Sequence, residues 1–498
     1  MFKLIQFFNS RIVLLFIIIT TVLLHVAFLD MPPKSMHLWR QANTLSMTRN
    51  FYEEGMDPFK PRVDNRFDTD GITGSQFPSF EIILAKLYQF TGEQYWVQRS
   101  YCLLLHLFGI FGIFLLAKQL TFNRLIANLA AWTYAWSPML FYYAITALPD
   151  DMALPASIFG LYFFLKWFEK WVVMESKSAI EMLLCLFFVT IAGLTKIQYL
   201  ALGFFIVAFV WLQREKLKAF HWLGFVIFGA IVSSTCISWY LYADRLIQKS
   251  GLSDIGLTFN PETDIKEGLS ILISNLTSSL PELILNYASF ILLIAAGYFL
   301  IVRKKGNAVV RISFFIWAFI FVVFHLFELE RMKHHDYYMM AYMPILAIAS
   351  AYGGFHLLNS KFKKLAVLLI LLQPVLAFAR IVPSRFASEE TGANKVFYKQ
   401  DELKKLQELV PNNALCVVGP DDSRCIYFYF LRKKGFGFGQ EGLSLSQQQL
   451  SKYVAKGAKY LYTSDNLVAM DEQLKPYISE LVGNQDDFYV YSLKMPSE

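Results

Sequence analysis

Long apolar stretches, recurring along the whole sequence, constrain the fold of this chain more than any other feature. A helix needs about 20 mostly apolar residues to cross a bilayer. About eleven such stretches follow one another, centred near 12–29, 101–118, 125–145, 152–170, 180–195, 197–212, 221–242, 283–302, 312–328, 338–358 and 365–382. Pro138, Pro149 and Pro155 interrupt the third and fourth. Lys3 and Arg11 precede the first as they would in a signal peptide, but no small-residue cleavage site follows, so it reads as a retained anchor. Composition supports the same reading. Hydrophobic residues make up 55% of the chain and charged residues 17%, against about 25% charge in ordinary soluble domains. An all-soluble enzyme, a disordered chain and a collagen-like chain are excluded, and the expected fold class is a polytopic α-helical membrane protein.

The net charge of +7 reads as cationic loops facing an anionic membrane surface. No zinc-finger spacing or RNA-binding signature accompanies it, so nucleic acid is not an expected partner. With the N-terminus inside, alternate short loops carry Lys118 and Arg124, Lys170 and Lys177, Arg214, Lys216 and Lys218, Arg303, Lys304 and Lys305, and Lys361, Lys363 and Lys364. The positive-inside rule then places the C-terminus outside. The outer side collects a long first loop (30–100), a turn at Leu148–Asp151, a turn at Thr195–Lys196, a loop at 243–282, a turn at 329–337 and the tail from 383.

The tail turns polar and charged. Residues 414–419, 460–463 and 488–491 read as strands and Asp401–Leu409 as an amphipathic helix, which suggests a small α/β extracytoplasmic C-terminal domain with its own core. The expected division is therefore a membrane part at 1–382 and an external part at 383–498. Cys102, Cys185 and Cys236 lie in apolar stretches as small hydrophobes. Cys416 and Cys425, in an oxidising exterior, are either a disulfide or two unpaired thiols. No C-x-x-C spacing supports a zinc or redox site.

Candidate chemistry concentrates outside. The first loop alternates aromatics, prolines and charges, with Arg40, Gln41, Arg49, Asn50, Asp64, Asp68, Asp70 and Glu81 among them. Its second half, Ile82–Phe90, reads as an amphipathic helix on the membrane surface. Asp150 and Asp151 either face a cavity and pair with a cation or cap a helix. Lys196 either contacts a phosphate or snorkels to the interface. In the run Glu330–Tyr338, His334 and His335 beside Asp336 and Tyr337 make a poor metal pair, because adjacent helix positions point apart; a polar turn feeding a membrane cavity fits better. Cations suit a phosphate, a carboxylate suits proton removal from a hydroxyl, and aromatics suit sugar faces. A sugar carried on a lipid phosphate combines all three.

With these residues in view, the chain resembles the GT-C class of membrane glycosyltransferases, closest to bacterial family 39-like proteins, relatives of the protein O-mannosyltransferases and the lipid A aminoarabinose transferase. The resemblance covers residues 10–382 and rests on Trp39-Arg40-Gln41-Ala42, Arg49-Asn50-Phe51, Phe77-Pro78, Leu148-Pro149-Asp150, Leu194-Thr195-Lys196 and His334-His335-Asp336-Tyr337-Tyr338. It implies a multi-pass protein of the bacterial cytoplasmic membrane that transfers one sugar, with inversion, from a polyprenyl-phosphate donor to a glycan, lipid or protein acceptor on the outer face. It firmly implies no cofactor, and a divalent metal is allowed but not demanded. It also implies an acidic base in the first loop. Better-known members carry an Asp-Glu pair about nine residues before a loop arginine; counting back from Arg49, this chain has Arg40-Gln41, and arginine accepts no proton. The base then falls to Asp64, with Asp68, Asp70 and Asp150 as alternatives, or catalysis has been lost. Arg40, Lys196 and His335 are the candidate phosphate contacts, and Gln41, Asp150, Asp151, Asp336 and Tyr337 complete the candidate substrate-binding set. The competing functions are a flippase or transporter of lipid-linked glycans, which would place polar residues within the spans, and a non-catalytic membrane subunit.

Overall fold

Uninterrupted apolar sequence makes helices that need no polar face, and prolines and polar caps decide where they stop. The computed structural model describes residues 2–251, 264–305, 308–440 and 444–496. Part of the expected 243–282 loop, residues 252–263, and the side chain of His334 lie outside the described residues. Among the described residues, four helices are long and apolar enough to cross a membrane: Tyr95–Thr121, Ala219–Ser250, Asp336–Leu358 and Lys363–Phe386. A fifth candidate is a pair, Ile265–Ile284 and Tyr287–Val302, bent by 119°. Ile12–Phe28, Ala179–Thr195 and Ile197–Leu212 are apolar but shorter.

Local chemistry explains why these are fewer than the apolar stretches. Ser137 accepts from the Leu140 N–H at 3.2 Å and Pro138 opens a new helix there, so 125–145 divides into Arg124–Ala135 and Pro138–Tyr143. Lys196 is extended and separates the helices on either side of it. At the 119° bend Asn286 has φ 64°, and its side chain caps the Ser289 N–H at 2.9 Å while donating to the Trp136 carbonyl at 2.9 Å.

The chain forms two compact units. One comprises the described residues of Met1–Asp30, Tyr95–Tyr240 and Leu257–Phe386; the other those of Met31–Gln94, Leu241–Gly256 and Ala387–Glu498. Space thus groups the first loop with the tail, although some 300 residues of sequence separate them.

The first unit is a helical body with aromatic seams. Phe108 stacks on Phe159 at 4.0 Å and Phe163 on Phe188 at 5.7 Å, geometries that add to simple burial. Small residues set its closest helix contact. A Cβ on Gly353 would lie 1.9 Å from the Leu292 carbonyl oxygen, so the Met343–Leu358 helix meets Tyr287–Gly297 backbone to backbone.

The second unit is built on a five-stranded mixed sheet: β1 (Leu415–Gly419), β2 (Lys434–Gly437), β3 (Tyr460–Thr463), β4 (Ile478–Gln485) and β5 (Phe488–Leu493), in the order β2-β1-β3-β5-β4. β1 runs parallel to β2 and β3, while β5 is antiparallel to β3 and β4. The crossovers carry the helices Ile426–Leu431 and Gln447–Ala455, the latter opened by a Ser446–Gln449 capping box. Val417, Phe436, Leu450 and Leu461 form the core between sheet and helix. Cys416 and Cys425 are both free: their thiols lie against the Ala414 and Trp39 carbonyl oxygens at 3.5 and 3.2 Å.

Gly353→Leu is expected to force the two helices apart and destabilise the protein by about 2–3 kcal/mol, read as a fall in the thermal unfolding midpoint in detergent. Gly353→Ala should give a smaller fall. An unchanged midpoint for Gly353→Leu would show that the helices do not meet there.

Candidate active site

The candidate residues fall in both units, and each group is built here within its own. In the second unit the Leu38–Glu54 helix is unusual: Arg40, Gln41, Asn43, Thr44, Thr48, Arg49 and Asn50 are all buried. The helix also buries Leu45, Met47 and Phe51, but its polar side chains are buried with them rather than turned to solvent. Buried polar groups cost free energy unless paired, so their partners define the site.

Asn50 is the junction. Its Nδ2 donates to Asp64 Oδ1 at 2.9 Å, and its Oδ1 accepts from Arg66 Nη2 at 3.0 Å. Arg66 also grips Glu54 at 2.5 Å and the Asp70 carbonyl at 2.8 Å. The loop bearing Asp64 is stitched to the sheet edge: Gly435 N–H donates to the Asp64 carbonyl at 3.0 Å, and Arg66 N–H to the Gly435 carbonyl at 2.6 Å. Gly435 has φ +152°, and a Cβ there would lie 1.9 Å from the Cys416 carbonyl oxygen. Glycine is therefore required where β2 meets both β1 and the loop.

Asp64 is 2% exposed, and its Oδ2 has no hydrogen-bond partner among the described residues. One carboxylate oxygen is thus fixed and the other is left over. The alternative loop acids differ. Asp68 pairs with Lys452 and Lys456 at the surface, and the Asp70 side chain is 72% exposed beside Arg62 and Arg66. Arg40 donates to Gln76 Oε1 at 3.0 Å, and Gln76 donates in turn to Glu81 at 2.9 Å. The Gln41 amide holds the backbone carbonyls of Lys34 and Met36, both at 3.0 Å.

A second set of ion pairs surrounds this centre. Arg49 meets Glu93 at 2.8 Å, donates to the Tyr429 carbonyl at 2.9 Å and lies over the Tyr429 ring. Arg432 reaches Glu93 at 2.7 Å, and Lys434 reaches Glu53 and Glu54 at 2.9 and 2.5 Å. Burial pushes the Glu93 carboxyl up, but Arg49 and Arg432 outweigh it and hold it below the ordinary 4.5. Burial likewise opposes ionisation of Glu54, and hydrogen bonds from Lys434 and Arg66 prevail. Lys433 is fully buried; burial lowers its ammonium below the ordinary range while it donates to the Gln407 and Val410 carbonyls at 2.7 and 3.0 Å.

In the first unit, Asp150, Lys196, His335, Asp336 and Tyr337 come together. Lys196 Nζ lies 3.4 Å from Asp150 Oδ2, and Gln198 donates to Asp150 Oδ1 at 3.2 Å. The same ammonium sits 5.0 and 5.1 Å from the Tyr337 and Tyr338 ring centres, held by ion pair and cation–π contact rather than snorkelling outward. The His335 ring packs against Tyr337 at 5.5 Å and Tyr338 at 6.0 Å. Asp336 accepts from the Tyr143 hydroxyl and meets Arg385 Nη2 at 2.7 Å, and Arg385 lies over Tyr142. Asp151 does not join the group through its carboxylate in this way; its Oδ2 accepts from the Leu148 N–H at 3.3 Å, as a turn cap does. Asp150 pairs with a cation, whereas Asp151 binds back to a residue ahead of the helix and caps no helix N–H, since the N-cap is Pro149 with no side-chain hydrogen bond. Asn50, Gln198, Tyr143 and Arg385 belong to these arrangements but were not among the residues singled out for substrate or catalysis. Arg385 could have been noticed as a cation at the outer end of the last apolar stretch. No group of three or more His, Cys, Asp or Glu suited to a metal ion occurs among the described residues.

These folds have known counterparts. The chain matches no protein-family model and no curated protein sequence. Among solved structures it is similar to ArnT from Cupriavidus metallidurans bound to undecaprenyl phosphate, with 13% identity, 96% of this chain and 97% of that chain covered, and a TM-score of 0.66. The apo form of that protein gives 0.63 at 14% identity, covering 95% and 97%. The oligosaccharyltransferase AglB from Archaeoglobus fulgidus, in complex with an inhibitory peptide and a dolichol-phosphate, gives 0.59 at 12% identity over 91% of this chain and 69% of that one. The chain therefore has the fold of the GT-C glycosyltransferases.

The depressed Glu93 and Glu54 carboxyls add stability above the ordinary value of 4.5, and that stability is lost as pH falls through their lower folded values. The unfolding midpoint should therefore drop as pH falls below the ordinary value of 4.5. Glu93→Gln should lower the midpoint near neutrality and flatten that drop. An equally steep acid loss in the variant would show that Glu93 does not carry it.

Proposed function

We propose that this protein transfers a sugar from a polyprenyl-phosphate donor to a glycan, lipid or protein acceptor on the outer face of a bacterial cytoplasmic membrane, with inversion, and that Asp64 is its base. The observation that carries this reading is the Asp64 carboxylate, buried, fixed through Oδ1 and unpartnered at Oδ2, in a chain with the fold of lipid-linked sugar transferases. The undecaprenyl phosphate and dolichol-phosphate in the similar structures support a lipid-phosphate donor.

The chemistry follows from ordinary acid–base rules. The acceptor hydroxyl oxygen bonds to the anomeric carbon as the bond from that carbon to the phosphate oxygen breaks. The hydroxyl proton passes to Asp64 Oδ2, and the electron pair leaves with the lipid phosphate. Inversion needs the base on the face opposite the leaving group. Asn50 aims Asp64 by donating to one carboxylate oxygen only. Asp150 is the weaker candidate base: its Oδ2 also lacks a hydrogen bond, but it faces the Lys196 ammonium at 3.4 Å while Gln198 donates to Oδ1.

Lys196, oriented by Asp150 and Tyr337, is assigned to the donor phosphate with His335 as a further contact in the same unit, and Arg40 stays a candidate phosphate contact of the other unit. Asp336 positions Arg385, a cation added by the structure. Gln41 and Asp151 are positioning residues for the backbone segments that they bind. The tail from 383 is assigned to the outer side with the active site, as the loop charges require.

Lipid mass spectrometry on the wild type, a deletion and the deletion carrying Asp64→Asn tests this. One polyprenyl-phosphate sugar should accumulate in both the deletion and the Asp64→Asn strain. Accumulation in the deletion alone would move the base to another carboxylate. A complete lipid-linked oligosaccharide would favour the flippase reading, and unchanged lipids a non-catalytic subunit.

A further inference from the structure

The second unit contains a cleft of about 540 Å³ whose wall includes Asp64, a volume within the usual range for small-molecule sites. Its lining is nearly all polar: Leu415 is the one aliphatic residue among Arg49, Arg66, Arg432, Lys434, the acids and the asparagines. Yet its cations are already answered. Arg49 and Arg432 hold Glu93, Arg66 holds Glu54, and Lys434 holds Glu53 and Glu54. The Lys433 ammonium is spent on backbone carbonyls.

An acyl chain or an apolar peptide would meet a single aliphatic side chain, Leu415, among charged and amide groups that it could not pair. A phosphate would have to compete with a built-in carboxylate for each of these arginines and for Lys434. A neutral polyol meets neither obstacle. Its hydroxyls both donate and accept, so they match a wall that alternates N–H groups with carboxylate and amide oxygens. The exposed Asn413 beside Asn412 adds amides that need no counter-ion.

From this we infer that the cleft is the acceptor subsite and that the acceptor presents a neutral, polyhydroxylated glycan there, one of its hydroxyls addressing Asp64. The inference deepens the proposed transferase reading and rests on it. It narrows the acceptor from glycan, lipid or protein to a molecule recognised through sugar rings.

The test uses the full-length protein in nanodiscs and saturation-transfer NMR with three probes: a panel of neutral hexose and N-acetylhexosamine trisaccharides, inorganic phosphate, and an uncharged apolar hexapeptide. At least one trisaccharide should bind saturably to the wild type and to Asp64→Asn. Asn413→Trp, which fills the cleft from an exposed position, should weaken that binding at least tenfold while leaving undecaprenyl phosphate binding unchanged. Trisaccharide binding that survives Asn413→Trp would overturn the assignment, as would preferential binding of phosphate or peptide. A panel that does not bind at all would overturn it too. The two readings separate cleanly: cleft-dependent trisaccharide binding with no donor accumulation in the deletion strain would keep the glycan site and remove the transferase.

Discussion

Everything proposed for Asp64 depends on one short piece of backbone pairing. Residues 64–66 lie along the free edge of β2, with the Gly435 N–H on the Asp64 carbonyl and the Arg66 N–H on the Gly435 carbonyl. An edge strand presents unpaired backbone groups that a protein must cover or use, and here the loop uses them. The pairing fixes the backbone on both sides of Asp64, and Asn50 fixes one carboxylate oxygen. Two constraints from two elements leave the side chain little freedom, which is the preorganisation a base needs. The arrangement also explains why the tail and the first loop form one unit: the sheet is the template on which the loop is shaped.

Much of this was legible in sequence, and the failures have physical reasons. The strands β1, β3 and β5 are runs of β-branched and aromatic residues and were expected close to where they form. β2 was not, because Lys434-Gly435-Phe436-Gly437 has poor intrinsic strand preference; its pairing on both sides holds it. β4 was missed because half of it is exposed and two register shifts break its alternation. The Ile82–Phe90 helix was anticipated and extends to Ser79–Thr91, whereas Leu38–Glu54 was not, since a helix that buries polar and apolar residues alike carries little amphipathic signal. The apolar stretches were read as spans on hydropathy alone, and Pro138 and Lys196 divide them in ways that hydropathy does not register.

The site was half legible. Asp150, Lys196, His335, Asp336 and Tyr337 converge although 186 positions separate the first of them from Asp336, because all lie at ends of helices in one unit. Their partner Tyr143 lies in a segment that reads simply as apolar and Arg385 just past the last apolar stretch, and contacts between distant segments leave no local trace. Asp64 was singled out by its loop position; that one of its oxygens is held while the other is not is a tertiary fact. Arg40, at the position where the resemblance leads one to expect an acid, is buried and bound to Gln76.

The most direct measurement is chemical rescue of Asp64→Gly by azide, with purified protein and its polyprenyl-phosphate sugar. Removing the base opens space for a small anion that needs no deprotonation. The account predicts release of a glycosyl azide with the anomeric configuration inverted relative to the donor, and none from the wild type. A glycosyl azide with retained configuration, or transfer to the normal acceptor at the wild-type rate without azide, would contradict it.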